Sequence, residues 1–140
     1  MICPLDYYID VTPFAVQGPY QVELLHYYPD LYNVWHDGGG VATIGPSVEY
    51  PAVHYGNYRV NMKLRKMIIT FLLTATWISS TFNGPVVTSL TSGANLPQSA
   101  YFISSTINTS LMTLSSTSTS ISLNLQGVSF QAGDEIVIGW

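Results

Sequence analysis

The residues of this chain best suited to chemistry are its three histidines, His26, His36 and His54. Imidazole is a common metal ligand and titrates near neutral pH, so histidines gathered with Asp30 and Asp37 could hold a metal ion. Their spacing argues otherwise. His26 and Asp30 stand four apart in a stretch of strand and turn character, where that interval does not put two side chains on one face, and no HExxH arrangement occurs. The histidines are therefore read as structural. Asp134 and Glu135 are the only adjacent acids. Carboxylates that cleave a glycosidic bond face each other across the substrate, whereas strand neighbours point to opposite sides. A turn aspartate that caps its own backbone fits Asp134 better. Gly38-Gly39-Gly40 lacks the Lys-Ser/Thr and the helix that make a glycine run into a phosphate cradle. Cys3 is the sole cysteine, which allows no internal disulfide, cysteine-based metal cluster or redox motif. No nucleophile, base and orienting group can be assembled, so the expectation is a protein that is not an enzyme and needs no cofactor or metal.

The elements that carry these residues read as strands throughout. The longest patterned stretch is Arg59 to Ile78, which holds all the positive charge of the protein: Arg59, Lys63, Arg65 and Lys66. Val60, Met62 and Leu64 are apolar at even positions, and from Met67 the phase flips to Met67, Ile69, Phe71, Leu73, Ala75 and Trp77. Alternation of period two is a strand pattern, and a phase flip is what one extra residue produces, so a β-bulge or tight kink is expected at Arg65–Lys66. A membrane-spanning helix is excluded by the short, Thr-rich apolar run. A secretory signal is the minor alternative: the run has a basic start followed by apolar residues, but that start falls at Met62, and the match is read as a coincidence of strand composition.

Before this stretch, prolines at positions 4, 13 and 19 leave room for extended pieces or an arm over residues 1–19. Tyr20–Tyr28 is a strand with Tyr20, Val22, Leu24 and His26 on one face. Leu31–Trp35 is a short strand, His36–Gly40 a loop, Val41–Ile44 a strand, and Val48–Tyr55 a strand that Pro51 confines to a sheet edge. After Ile78, Ser and Thr dominate and charge disappears until Asp134. The apolar residues remain patterned, with Ile121, Leu123 and Leu125 alternating, so strands are expected at Pro85–Leu90, Tyr101–Ile107, Leu111–Leu114, Ser120–Leu125 and Glu135–Trp140. Turns fall at Gly93–Asn95, Asn108–Ser110 and Gln131–Asp134. The fold class is all-β, a sandwich or jelly-roll-like barrel. It forms one domain over 1–140: a possible arm at 1–19, N-terminal strands at 20–78, and a Ser/Thr-rich β region at 79–140.

Charged residues make up 9% of the chain and aromatic residues 13%. A surface so short of charge is poorly protected against association, which points to cover by copies of itself or by partners. A net charge of −4 argues against a nucleic-acid partner. Of the 10 tyrosines only Tyr101 follows the central stretch. Tyrosine brings large amphipathic area at interfaces, so Tyr7, Tyr8, Tyr27, Tyr28 and Tyr32, with the cations Arg59, Lys63, Arg65 and Lys66, form the candidate interface.

Two pieces carry a resemblance. His36-Asp37-Gly38, Tyr58-Arg59 and Arg65-Lys66-Met67-Ile68-Ile69-Thr70 resemble the N-terminal half of the distal tail proteins of long-tailed bacteriophages. Ser129-Phe130-Gln131-Ala132-Gly133-Asp134-Glu135-Ile136-Val137-Ile138 looks like the closing hairpin of phage tail and jelly-roll virion domains. The resemblance implies a virion protein of the tail or baseplate, a hexameric ring contacting the tail tube and the hub or receptor-binding apparatus. A capsid or spike jelly roll, and a carbohydrate-binding β-sandwich that meets a host-surface glycan through Trp35, Trp77 or Trp140, are the alternatives. No membrane partner is expected.

Overall fold

The computed structural model describes residues 21–63, 65–90 and 99–140. The arm at 1–19, Tyr7, Tyr8 and the turn at Gly93–Asn95 lie outside the described residues. Two five-stranded antiparallel sheets pack face to face as a sandwich. The first has the order β2-β1-β7-β10-β9, from β1 (Gln21–Tyr27), β2 (Val34–Thr43), β7 (Gly84–Ser89), β9 (Thr113–Ser116) and β10 (Ser120–Asn124). The second has the order β3-β4-β5-β12-β8, from β3 (Tyr50–Val53), β4 (Tyr58–Met62), β5 (Lys66–Phe71), β8 (Tyr101–Ser105) and β12 (Glu135–Gly139). A two-stranded ribbon, β6 (Ala75–Thr76) with β11 (Ser129–Phe130), joins them at one end.

Alternation decides which side of each strand enters the core. Val22, Leu24 and His26 point inward from β1, and Ile121 and Leu123 from β10. Tyr58, Val60 and Met62 meet them from β4, Met67, Ile69 and Phe71 from β5, and Ile136 and Ile138 from β12. All are almost fully buried. Thr113 and Ser115 of β9 and Ser120 and Ser122 of β10 alternate with the apolar residues, while Ser116 shares the face of Leu114, so the Ser/Thr-rich half is ordinary sheet with a largely hydroxylated outer face.

Four local expectations are corrected by the backbone. The phase flip at Arg65–Lys66 is a hairpin rather than a bulge. Met62 pairs with Met67, and Lys63 N–H donates to the Lys66 carbonyl at 2.7 Å, so the chain reverses and β4 and β5 lie side by side. A reversal shifts the phase as a bulge does, and this one has no glycine to announce it. His36–Gly40 is part of β2. His26 pairs with Trp35 and Leu24 with Gly40, so His36 to Gly39 bulge out opposite the single residue Leu25. The bulge carries β2 across to the second sheet. A Cβ on Gly38 would collide with the Ala52 carbonyl of β3, and one on Gly39 with the Leu24 carbonyl of β1. These glycines serve close backbone approach within a strand, which composition alone does not separate from a turn. Residues 31–33 form an Asx turn, not a strand: the Asp30 carboxylate accepts from Tyr32 N–H at 2.9 Å and from Asn33 Nδ2 at 2.8 Å. Residues 109–111 form a 3-10 turn capped by Asn108, which delays β9 to Thr113.

Side chains lock the remaining crossings. Glu49 accepts from Gly45 N–H and Met62 N–H, at 2.8 and 2.7 Å, and ties the loop before β3 to the end of β4. The Tyr50 hydroxyl donates to the Gly40 carbonyl at 2.7 Å, from one sheet to the other, and burial pushes its pKa up to about 12. Asp134 caps its own turn by accepting from Gln131 N–H at 2.8 Å.

Gly84 gives the test of backbone approach between strands. A Cβ there would collide with the Leu123 carbonyl, backbone that cannot swing aside. Gly84→Ala is expected to cost about 2–3 kcal/mol in urea unfolding. Gly45→Ala, which meets open space, should stay within about 0.5 kcal/mol of the parent.

Candidate functional site: a histidine and tryptophan pocket

The end of the sandwich where β1 finishes and β4 and β7 begin holds two buried polar residues, His26 and Asn83. His26 is fully buried there. Its Nδ1 lies 2.9 Å from the Tyr58 hydroxyl and its Nε2 2.8 Å from Asn83 Oδ1. The proton positions follow from Asn83, whose Nδ2 donates to the Ile78 carbonyl at 3.1 Å and so fixes Oδ1 as the acceptor beside His26. Nε2 therefore carries the hydrogen, and Nδ1 accepts from the Tyr58 O–H. Burial, then the neighbouring His54, lowers the His26 pKa to about 3, against a smaller opposing effect of the Asn83 bond. Complete burial holds the Tyr58 phenol well above its ordinary value. The chain Tyr58–His26–Asn83–Ile78 is neutral and runs from the second sheet into the first.

His54 reaches this chain from a left-handed turn. His54, Tyr55 and Gly56 have φ of 53, 61 and 77°. Two consecutive non-glycine residues there cost roughly 1 kcal/mol or more each. Asp37 at the tip of the β2 bulge offsets that cost. Its carbonyl accepts from His54 N–H at 2.8 Å, its carboxylate accepts from Tyr55 N–H at 2.6 Å, and Asn57 Nδ2 donates to the His54 carbonyl at 2.7 Å. Held in this way, the His54 ring stacks on His26 at 3.9 Å and 12°. Trp77 lies 5.1 Å from His26 and 5.2 Å from Phe130. Trp35 and Tyr55 stand edge-on to His54. Burial lowers the His54 pKa, with Asp37 acting against it.

Beside this stack opens a pocket of about 190 Å³, lined by Tyr28, His54, Asn57, Trp77, Asn83 and Phe130, with β6 at its mouth. His54 Nδ1 and Trp77 Nε1 are both buried and have no hydrogen-bond partner among the described residues. A shallower groove of about 560 Å³ lies on the other side of β6 and β11 and shares Ala75, Thr76 and Phe130 with it. Nothing in the pocket pairs a nucleophile with a base: its one aliphatic hydroxyl, on Thr76, is bonded to Ser129 Oγ at 2.8 Å. The arrangement is suited to binding.

The residues singled out in the sequence are dispersed. Tyr28 lines the pocket, Tyr27 is half-buried, and Tyr32 stands 93% exposed on the turn before β2. Arg59 and Arg65 are exposed and Lys66 is half-buried, whereas Lys63 is buried at 6% exposure. The Lys63–Lys66 hairpin lies at the far end of β4 and β5 from the pocket. Trp77 is buried, Trp140 half-buried, and Trp35 exposed. His26 and His54 come together, His36 is exposed on the bulge, and no group of three His, Cys, Asp or Glu among the described residues could hold a metal ion. Comparison of the chain with protein-family models, curated proteins and solved structures found no match.

The lowered pKa of His26 sets a pH dependence. Above about pH 6.5 the ring is neutral in both folded and unfolded chains. As pH falls, the unfolded chain takes up a proton that the folded protein refuses until about pH 3. Stability should therefore fall across that window at up to about 1.4 kcal/mol per pH unit, with His54 acting in the same direction. Urea unfolding at a series of pH values measures this. His26→Gln should be less stable near neutrality and show a shallower slope below it.

Proposed function

We propose that this protein is a virion structural component, a ring-forming subunit of a phage tail or baseplate that binds copies of itself and other virion proteins and carries out no chemical step. The observation behind this reading is the pair of lateral edges of the sandwich. On one side, β2 and β3 are outermost, and Trp35, Val41, Tyr55 and the preceding Tyr32 are exposed. On the other, β8 and β9 are outermost and tied by Ala100 N–H to Ser116 Oγ at 3.1 Å, with Tyr101, Ile103 and Leu111 exposed. Natural edge strands are usually guarded by charge, and Lys is the common guard. Neither outermost strand of the second sheet, β3 or β8, contains a charged residue. Two unlike apolar edges on one subunit suit a head-to-tail contact, and such contacts form rings where the rotation between subunits closes and filaments where it does not. The charge-poor composition and the resemblance of the Asp37-Gly38 and Arg65–Thr70 segments to distal tail proteins favour a virion ring over other assemblies.

Opposite edges make a complementation test. Val41→Lys and Ile103→Lys should each reduce the assembled species to monomer in analytical ultracentrifugation, without lowering the unfolding midpoint. Mixed together, the two variants should form a dimer, because each keeps one intact edge and the pair leaves no further edge to extend. A parent that stays monomeric at high concentration would sink the proposal, and micrographs showing icosahedral shells would move it from tail to capsid.

A further inference from the structure

We infer that His54 is an acid-operated latch: when its ring takes up a proton it leaves the His26 stack and the turn at 54–57 opens, while the two sheets stay packed. The closed position does not suit a cation. An imidazolium carries hydrogen on both nitrogens, so a charged His54 would hold a donor at Nδ1. That atom is sealed from solvent and has no acceptor among the described residues. The ring also lies flat on His26 at 3.9 Å and 12°, with Trp77 tilted beside it at 6.0 Å. A group in such a place either refuses the proton or moves to water with it. His54 can move, because it is only half-buried and stands on a short turn between β3 and β4. His26 cannot, because it is fully buried within β1 and bonded at both nitrogens.

The groups that face His54 do little to hold a proton in place. From β1 and the residues after it come His26 and Tyr28, from β2 Asp37, from its own turn Tyr55, and from β4, across His26, Tyr58. A phenol bears no charge at acid pH, and His26 stays neutral until about pH 3. Asp37 is the one carboxylate of the set. Its favourable effect on the charged ring is smaller than the opposing effect of burial, and it already accepts from Tyr55 N–H at 2.6 Å. The turn itself is loaded, since His54 and Tyr55 stand at φ of 53 and 61° and are kept there by Asp37. Leaving the stack removes a contact that offsets this strain, so release of the ring and opening of the turn go together. Out in water the ring would titrate at the ordinary 6.5. Each pH unit below that value therefore favours the open form by up to about tenfold.

The test is an NMR titration of the intact protein from about pH 7.5 to about pH 4, the range in which imidazoles ionise. The His54 ring signal should titrate with a midpoint below 6.5. At the same midpoint the nuclear Overhauser contacts from His54 to the Trp35 and Trp77 rings should be lost, and the Tyr55 amide should leave its hydrogen-bonded position. Contacts between Ile69 and Ile136, which pair in the second sheet, should persist. His54→Asn removes the ionising ring and suits the left-handed backbone. It should hold the Tyr55 amide steady through that midpoint, and it separates the latch from protonation of Asp37, which both proteins share. His36→Gln, on the exposed bulge, should titrate as the parent does. So should Ile103→Lys, on the opposite side of the sandwich, which makes failure of assembly and failure of the latch distinguishable. The inference is overturned if His54 takes its proton with its contacts to Trp77 intact, if the Tyr55 amide moves alike in His54→Asn, or if the Ile69–Ile136 contacts vanish at the same midpoint.

Discussion

A histidine that must stay neutral governs the end of this sandwich. His26 occupies a position where alternation demands an apolar side chain, with Val22 and Leu24 before it on the same face. An imidazolium there would be enclosed among Tyr58, His54 and Trp77 with no carboxylate to balance it. The cost is avoided by complete satisfaction of the neutral ring, one nitrogen donating to Asn83 and the other accepting from Tyr58. Because Tyr58 belongs to the second sheet and Asn83 leads into the first, the same bonds also fix how the two sheets meet. A leucine in place of His26 would pack, but would leave the buried hydroxyl of Tyr58 and the carbonyl oxygen of Asn83 without those partners.

Around that chain, the geometry of β2 does the positioning. The bulge from His36 to Gly39 moves the edge strand of the first sheet onto β3 of the second, and glycines 38 and 39 let its backbone pass where any Cβ would collide. Asp37 then sits against the β3–β4 turn and accepts two of its N–H groups. The stacking of His54 on His26 is thus a consequence of a bulge 16 residues or so earlier, read through one aspartate. Loss of the Asp37 carboxylate would release Tyr55 N–H first and the left-handed turn with it.

Most of the strands were legible because their patterns are local. Ile121, Leu123 and Leu125 alternate with polar residues, Pro51 confines β3 to an edge, and the Gln131–Asp134 turn caps itself. The sequence also placed His26 on the apolar face of its strand. What stayed hidden depends on partners far along the chain. The hairpin at Lys63–Lys66 looks like a bulge in the sequence, since a reversal and a bulge shift the alternation alike. The glycine run looks like a loop, because composition reports conformational freedom and not which backbone lies a contact distance away. The meeting of His26 with His54 was not foreseeable, for two of the three left-handed positions in that turn lack the glycine that would signal it.

The placement of charge is compatible with the proposed assembly. The cations Lys63 and Lys66 occupy the hairpin at one end of the second sheet, and the neutral pocket lies at the other, by the ribbon of β6 and β11. The apolar edges run along the two sides between these ends. In a head-to-tail ring built through the sides, both ends stay free and every subunit presents the same end to the same direction. Scarcity of charge along the two sides is what would let them adhere in the proposed ring, since β3 and β8 carry none of the charged guards usual on edge strands.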